Sequence, residues 1–522
     1  MLLLDGNSLT IENVYEVVYN FASVKISDAA KIRMQASRGI VDSWVRNEET
    51  IYGITTGFGD LAMVTIPIEQ IEELQENLIV SHSAGTGNFL PPAIVRAMLL
   101  LRVNALAKGY SGIRISTVEY FIHMLQENML PAIPSQGSVG SSGDLAPLAH
   151  LVLAAIGKGR FWKFLHAGTA TRLRLNSTNH ETIPAAQLLN EKGIVPLRLH
   201  AKEGLALING TQMMTAYGTL EIYDARQLAI AADICAALSI EGLKGTDRAF
   251  DARLHATRPH AGQQRVAENL RSLMRGSEIR ESHRTDDPRV QDAYSLRCAP
   301  QVHGASRDTI EYAARIIETE INSATDNPLI FAEDKEHIEG GNFHGQPVAL
   351  ALDFLAIALA ELASISERRI ERLVNGSLNG LPKFLTEHGG LNSGLMIAQY
   401  TAASLVSENK VLSHPASVDS IPTSANQEDH NSMGSIAAQK CYKILQNLRS
   451  VLAIELLCAA QAIDFHRPLK CGAGAEAAYQ LIRSLVPHLE KDRVIHDDIQ
   501  TMIELLDGNG LQTKAAMSAK IL

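Results

Sequence analysis

The sequence predicts a mainly α-helical protein whose C-terminal part is an elongated helical-bundle core. Ser424 and Gln427 match a capping box, and the apolar pattern after them predicts a helix that runs to about His466. Such a helix of about 40 residues is about 60 Å long. Because this is too long for one small globule, we expect its apolar stripe to pack in a bundle of several subunits. Two sets of leucines also have the heptad spacing of packed helices: Leu352, Leu355, Leu359 and Leu362, then Leu445, Leu448, Leu452 and Leu456.

The N-terminal part is also largely helical, but its elements are shorter. The first residues favour a strand followed by a helix from about Thr10, and Ser27 is placed to cap a helix over 28–46. The apolar run 92–108 predicts another helix. The segment 157–201 has no comparable pattern, and we interpret it as a lobe or interface insertion.

Composition indicates a folded chain with a large core and argues against two classes of partner. Of the 522 residues, 46% are apolar and 20% are charged, as in ordinary globular proteins. The net charge of -10 argues against a nucleic-acid partner and against an anionic membrane surface. The most apolar segment, 348–365, contains Asp353 and Glu361, so we expect a buried helix and no membrane span.

The cysteines favour a reducing compartment. They are five, an odd and widely spaced set without a Cys-x-x-Cys pair, so neither a disulfide framework nor a zinc site is expected. The first residues lack the basic start and the long apolar run of a signal peptide. We therefore expect a cytoplasmic protein without a bound metal.

The most distinctive segment is a loop rich in glycine and serine. Residues 137–147 read Gly-Ser-Val-Gly-Ser-Ser-Gly-Asp-Leu-Ala-Pro, and an apolar run follows to Ile156. Asp144 can cap the helix that this run predicts, and Pro147 suits its first turn. The loop matches neither the Walker pattern nor Gly-x-Gly-x-x-Gly. Its composition alone is equally compatible with a plain tight turn.

Residues 137–150 resemble the signature of the aromatic amino acid ammonia-lyases and aminomutases. In that family an Ala-Ser-Gly tripeptide cyclises without other enzymes into 4-methylideneimidazole-5-one (MIO). The resemblance implies that MIO forms here from Ser141-Ser142-Gly143: the Gly143 nitrogen attacks the Ser141 carbonyl, and loss of water makes the Ser142 Cβ an electrophilic methylidene. Ser141 stands where alanine is usual, and we expect the ring to form because closure uses only its backbone carbonyl.

The resemblance covers about residues 1–470 and is closest to the members that act on histidine. Without it, each further motif has an ordinary explanation, such as a surface loop at Tyr52, a helix-capping cation at His82 or a solvated helix face from Gln291 to Arg297. The motifs are, in chain order, Tyr52 in the loop 52–59, Ser81-His82, Asn209 in Asn-Gly-Thr, Gln291 with Tyr294 and Arg297, Phe343 in Asn-Phe-His, and Glu428 in Asn-Gln-Glu-Asp-His.

The catalytic residues that the resemblance implies are Tyr52, Ser142 and Tyr294. The glycines around Tyr52 are suited to a mobile lid. Tyr52 is the expected general base for the substrate's β-proton, which requires its pKa to be lowered from about 10. Tyr294 is expected, together with Gln291, to support the ring and the developing charge.

The remaining motif residues are expected to bind the substrate. Asn209 and Arg297 would fix its carboxylate, since the planar guanidinium of arginine fits a carboxylate. His82 and Glu428 would recognise an imidazole ring, Glu428 by accepting its N–H, and Phe343 would pack nearby.

The resemblance therefore implies the non-oxidative, MIO-dependent deamination of L-histidine to trans-urocanate and ammonia. The alternative is a histidine 2,3-aminomutase, which would form β-histidine with the same cofactor. Three departures from the family pattern keep this alternative open: Ser141, the segment 160–185 and Asn431. A catalytically silent helical assembly protein is a third reading, which the complete set of polar motifs disfavours.

The resemblance also implies an architecture. Residues 1–200 are expected to form an N-terminal catalytic lobe that carries the MIO-forming loop, and residues 201–522 a helical core that forms the oligomer. The expected assembly is a homotetramer whose active sites draw residues from three subunits.

Overall fold

The computed structural model describes residues 1–163, 172–178, 180–285, 287 and 289–522. Helices dominate these residues, which confirms the predicted fold class. Both predicted heptad sets lie on long helices, and their leucines are buried. The long helices are Gln212–Gly242, Ala299–Glu320, Gln346–Val374 and Gly434–Asp464.

Shorter helices and small sheets fill the rest of the described chain. The α-helices before residue 212 are Ile11–Tyr19, Asp28–Arg46, Ile71–His82, Pro92–Ala107, Ile115–Gln126, Leu145–Ala155, Arg172–Asn176, Ala185–Glu191 and Glu203–Ile208. Those after residue 242, besides the long ones, are Ala252–Ala256, Ala261–Leu273, Glu278–Glu281, Tyr294–Arg297, Gly376–Asn379, Met396–Leu412, Ala473–Leu485, Ile495–Asp507 and Gly510–Ala516.

The strands form two-stranded sheets. One pair is parallel, Leu2–Leu4 with Val24–Ile26. The antiparallel pairs are Thr86–Phe89 with Pro134–Gln136, Arg160–Trp162 with Thr182–Pro184, and Leu329–Phe331 with Glu336–Ile338. The predicted insertion 160–185 thus begins and ends in a hairpin, and its residues 164–171 and 179 lie outside the described part.

Side-chain caps fix the first helices as the sequence predicts. The Thr10 hydroxyl accepts the backbone N–H of Asn13, whose side chain accepts the backbone N–H of Thr10 in return. The Ser27 hydroxyl accepts the N–H of Ala30. These bonds satisfy backbone donors that a helix start leaves free.

The predicted capping box at Ser424 and Gln427 is wrong. Ser424, Ala425 and Asn426 have φ angles of 50°, 52° and 69°, and a right-handed helix cannot run through consecutive left-handed residues. The chain turns back here, and the helix Gly434–Asp464 starts only later. Glu428 therefore lies in a loop before this helix and not in its first turn.

The chain folds into two compact units. The first contains residues 1–223, 314–353 and 415–439, and the second contains 224–313, 354–414 and 440–522. The first unit includes all of the predicted lobe 1–200, and the second lies wholly within the predicted core 201–522. The boundary at residue 200 stays a prediction.

One helix of the described chain, Gln346–Val374, is long and apolar enough to cross a membrane. However, 67% of its most apolar window is buried inside the protein. Length and composition are therefore weak grounds for a span, and the burial agrees with the predicted core helix.

Candidate active site

A cavity of about 730 Å³ in the first unit brings together distant predicted site residues. Leu78, Leu205 and Ile208 contribute apolar wall, but polar side chains outnumber the apolar ones in the lining. Small-molecule sites use such polar groups to fix the orientation of a ligand. The predicted residues that line it are Tyr52, His82, Ser141, Ser142, Asn209, Phe343 and Glu428.

The glycine-serine loop lies against a second backbone segment at Gly210. Gly143 has a φ of +78°, and a Cβ added to it would lie 2.1 Å from the Gly210 carbonyl oxygen. The next residue, Asp144, donates its N–H to the same oxygen at 2.7 Å. No residue larger than glycine fits at position 143. The backbone nitrogen of Gly143 is therefore not hindered by a Cβ of its own residue.

Ser142 is held at both of its polar groups. Its hydroxyl donates to Glu428 Oε1 at 2.8 Å, and its carbonyl oxygen accepts the Asn209 Nδ2–H at 3.0 Å. The Ser142 carbonyl orients the Asn209 amide, because only the amide nitrogen can donate to it. Asn209 Oδ1 is buried and has no hydrogen-bond partner among the described residues.

The Asp144 carboxylate does not cap its own helix, contrary to prediction. Its Oδ2 accepts the N–H groups of Met213 and Met214, at 2.9 and 3.0 Å, in the first turn of another helix. Its Oδ1 accepts the Ser138 hydroxyl at 3.3 Å. Burial raises the pKa of Asp144 to about 7, although these hydrogen bonds act in the opposite direction. The carboxylate thus joins the loop to the start of a long helix.

Tyr52 lies in a loop closed by backbone hydrogen bonds. Its hydroxyl accepts the Gly59 N–H at 3.2 Å. The expected lowering of its pKa is wrong for the free protein: burial raises the pKa of Tyr52, the carboxylates of Glu339 and Glu428 raise it further, and the Gly59 hydrogen bond only partly opposes them. The residue is positioned at the cavity, and its phenol is the favoured form at neutral pH.

His82 lies at the end of the helix Ile71–His82 and faces the cavity. Its Nδ1 is 3.1 Å from the Ser81 hydroxyl. Burial lowers the pKa of His82, although Leu78 and Glu428 act in the opposite direction. The imidazole is therefore neutral at pH 7 and can donate or accept one hydrogen bond.

Glu428 is fixed by a local turn. Thr423 and Glu428 pair as a β-bridge, and the Thr423 hydroxyl donates to Glu428 Oε2 at 2.6 Å. The left-handed residues between them make this pairing possible. One carboxylate oxygen is thus anchored within its own loop, and the other points to Ser142.

The cavity also contains polar residues that the sequence analysis missed. Glu339 is an exposed carboxylate near Tyr52. The rings of His344 and His430 are stacked 5.9 Å apart, and His344 Nε2 is 3.0 Å from the His430 carbonyl oxygen. Their only sequence signal is their place next to the Phe343 and Glu428 motifs.

The structure does not bring Gln291, Tyr294 and Arg297 to this cavity. They belong to the second unit, and the Tyr294 side chain is 71% exposed. The Arg297 guanidinium lies 4.6 Å from the Tyr294 ring centre, and its Nε donates to the Asp292 carbonyl. Their predicted helical face is wrong in part, because the helix begins at Tyr294 and leaves Gln291 outside.

The residues around the tripeptide fit the implied cofactor. Cyclisation would keep the Ser142 carbonyl as the oxo group of the ring, and this oxygen already has a donor in Asn209. Position 143 has no room for a side chain, so no Cβ would hinder the attack of the Gly143 nitrogen on the Ser141 carbonyl. Ser141 is buried next to them.

The chain belongs to the aromatic amino acid lyase family, whose model matches residues 9–484. It is 54% identical over 505 residues to the histidine ammonia-lyase of Caldanaerobacter subterraneus subsp. tengcongensis, covering 97% of this chain and 96% of that protein.

Solved structures support the same relationship. The histidine ammonia-lyase from Trypanosoma cruzi matches with a TM-score of 0.89 and 47% identity, covering 99% of this chain and 95% of that one. A tyrosine aminomutase from Streptomyces globisporus matches with a TM-score of 0.91 and 40% identity, covering 100% and 99%. The predicted family and fold are confirmed.

Proposed function

We propose that this protein is a histidine ammonia-lyase, which converts L-histidine to trans-urocanate and ammonia. The observation that carries the proposal is the cavity that His82 and Glu428 line together with Ser141 and Ser142. Relatives named histidine ammonia-lyase at 51–54% identity over nearly the whole chain support the same substrate. Its compartment is proposed to be the cytoplasm.

The proposed cofactor is MIO, formed from Ser141, Ser142 and Gly143. When formed, it supplies an electrophilic carbon that makes the substrate amine a better leaving group. Asn209 would donate to the oxo group that the Ser142 carbonyl becomes, and its free Oδ1 would accept an N–H of the substrate amine. This differs from the expected contact with the carboxylate, because Oδ1 can only accept a hydrogen bond and a carboxylate has none to donate.

Glu428 and neutral His82 would recognise the imidazole ring. The Ser142 hydroxyl, which now bonds to Glu428 Oε1, leaves as water when the cofactor forms. Glu428 Oε1 is then free to accept an imidazole N–H, while the Thr423 hydroxyl holds Oε2 and keeps the carboxylate oriented. A pocket that hydrogen-bonds its substrate discriminates strongly against analogues without the donor.

Tyr52 remains the proposed base for the β-proton, with its phenolate as the reactive form. Phe343 would pack against the substrate ring. Gln291, Tyr294 and Arg297 are proposed to reach this cavity from other copies of the chain, in a homotetramer whose sites draw residues from three subunits. Arg297 would then bind the carboxylate.

The aminomutase alternative has less support. The tyrosine aminomutase structure is 40% identical, against 54% for the histidine lyase relative. Asn431, one of the departures from the family pattern, donates to the Ile421 carbonyl at 2.5 Å. This bond gives Asn431 a role in holding its loop, so no mutase function is needed to explain it.

Intact-protein mass spectrometry tests the cofactor directly. The purified protein is expected to be lighter than its sequence by two waters, and Ser142→Ala should be folded, nearly inactive and of full mass. Ser141→Ala is the matched control, since only the backbone of this residue takes part, and it should keep the loss. Active protein of unmodified mass would disprove the MIO assignment.

A further inference from the structure

Arg102 lies buried behind the segment that carries Asn209. It is on the helix Pro92–Ala107 and is 2% exposed. One guanidinium nitrogen, Nη1, donates to the Asn209 backbone carbonyl at 2.9 Å, and the other, Nη2, to the Ala206 carbonyl. These carbonyls lie at the end of the helix Glu203–Ile208, where the helix itself supplies no donors.

A single residue separates this guanidinium from the glycine-serine loop. A Cβ added to Gly210 would lie 2.5 Å from Arg102 Nη1 and 2.6 Å from Thr325 Oγ1. On its other side, the carbonyl of Gly210 is the group that excludes a side chain at Gly143. A shift of the Arg102 guanidinium would therefore displace the Gly210 backbone, which lies between the guanidinium and Gly143.

Gln212 ties the guanidinium to the next segment. Its Oε1 accepts from Arg102 Nη1 at 2.7 Å, and its Nε2 donates to Thr325 Oγ1 at 3.0 Å. All of these groups are buried. Arg102 Nε is buried without a hydrogen-bond partner among the described residues, whereas both terminal nitrogens of the guanidinium are bonded. A displacement of the guanidinium would leave further buried polar groups unpaired, which restrains its position.

The other end of the short helix is also held by charge. Lys202, just before it, has a left-handed φ of 72° and donates to Asp326 Oδ2 at 2.8 Å, with both side chains buried. Glu203 accepts the Arg114 guanidinium and the Thr117 hydroxyl. A strained backbone persists only where its surroundings hold it, so this helix has little freedom at either end.

We infer that Arg102 is a positioning residue of the proposed deamination, acting through Asn209. Its bond to the Asn209 backbone sets where the side-chain amide meets the Ser142 carbonyl. Gln212 fixes the guanidinium in turn. This inference rests on the proposed function, in which that carbonyl becomes part of the cofactor and Asn209 Oδ1 meets the substrate.

Arg96 provides a matched control on the same helix. It is also 2% exposed, and burial lowers the pKa of both arginines to about 10. It likewise donates to backbone carbonyls near the end of another helix, those of Val17 and Val18, at 2.8 and 3.1 Å. The hydrogen bonds of Arg96 go to Val17, Val18, Leu125 and Asn128 and not to the Asn209 segment. Arg96→Lys therefore measures the structural effect of losing a buried guanidinium.

A double-mutant cycle tests the inference. Arg102→Lys should lower kcat for L-histidine by about 10-fold with a smaller change in KM, and by less than about 2-fold when Asn209 is already alanine. Arg96→Lys should have the same effect in both backgrounds. Equal losses for Arg102→Lys in the two backgrounds would show a general structural role and overturn the inference.

Amide hydrogen exchange gives a second readout, which does not depend on turnover. Arg102→Lys should speed exchange in residues 205–212 at least about 10-fold, whereas Arg96→Lys should not. If Arg102→Lys does not fold, Gln212→Met, which removes one hydrogen bond of the guanidinium, should produce a local change of the same direction. Unchanged exchange in this segment would contradict the inference. Failure of the wild type to turn over histidine would instead count against the proposed function, and the exchange data would still decide the positioning role.

Discussion

Gly143 lies so close to the Gly210 backbone that a side chain has no room at position 143, and a side chain on Gly210 would instead meet Arg102. The Gly143 φ of +78° is itself unfavourable for other residues. Ser142, between the loop and the Glu428 carboxylate, is bonded at both its hydroxyl and its carbonyl. At the scale of single residues, the chemistry of this site therefore depends on backbone spacing as much as on side chains.

Gly143→Ala should prevent cofactor formation. The added Cβ would overlap the Gly210 carbonyl, and the left-handed φ adds about 1–2 kcal/mol. We expect full protein mass, loss of activity and a lower unfolding midpoint. Gly193→Ala is the control, because Gly193 has a φ of +66° with no atom within 4 Å of an added Cβ. Two-water mass loss in Gly143→Ala would contradict the close contact described here.

Tyr52→Phe should lower kcat about 10²- to 10⁴-fold, as expected for loss of a general base, with little change in KM. The wild-type kcat should rise as the pH is raised up to about 10, the ordinary pKa of tyrosine. The reason is that the pKa of Tyr52 is raised, so the reactive phenolate is lost as the pH falls. Steady-state kinetics over this pH range check both points. Turnover like the wild type in Tyr52→Phe would remove the proposed base.

At the scale of elements, periodicity predicted the helices well and their interruptions poorly. The leucine sets at 352–362 and 445–456 were reliable because buried faces repeat along a helix. The capping box at Ser424 failed because a different local structure forms there, a turn through the left-handed residues 424–426 in which Thr423 pairs with Glu428. Glu339 escaped prediction because only folding brings it near Tyr52.

The motifs predicted which residues line the cavity better than they predicted the pKa values of the side chains. Tyr52, His82, Asn209 and Glu428 do line it. In the single chain, burial and the carboxylates of Glu339 and Glu428, which lie far away in sequence, raise the pKa of Tyr52. A short motif contains no information about these distant groups, so it does not predict the pKa of Tyr52.

A buried ion pair should be important for the stability of the second unit. Arg369 donates to both oxygens of Glu455, at 2.5 and 2.9 Å, and both side chains are fully buried. Glu455→Ala leaves the guanidinium charge unpaired and should lower the free energy of unfolding by about 3–5 kcal/mol. Chemical denaturation measures this change.

The control for this prediction is a more exposed pair. Arg226 and Glu311 are 2.9 Å apart, with side chains 26% and 43% exposed. Glu311→Ala should cost less than about 1 kcal/mol. Equal losses for Glu311→Ala and Glu455→Ala would show that burial does not set the strength of these pairs.

At the scale of the whole molecule, we propose that one chain supplies only part of the site. The cavity gathers Tyr52, Ser142 and Glu428, whereas Tyr294 and Arg297 lie in the second unit and do not line it. The proposed homotetramer completes the site with residues of other copies. This arrangement makes a defined prediction for mixed assemblies.

Co-expression of Tyr52→Phe chains with Arg297→Ala chains should restore part of the activity that each variant lacks alone. Some cavities in the mixed tetramers would combine an intact Tyr52 with an intact Arg297 from another copy. Tyr52→Phe with Ser142→Ala is the control and should stay inactive, since both residues line one cavity of one chain. No recovery in the first mixture would contradict the shared site.

Proton NMR of L-histidine incubated with the purified wild-type protein tests the proposed function most directly. The account predicts that the vinyl signals of trans-urocanate appear as histidine disappears, with ammonia released in equal amount. Ser142→Ala should give no such signals. β-Histidine as the main product would favour the aminomutase, and unchanged histidine with folded wild-type protein would contradict the proposed function.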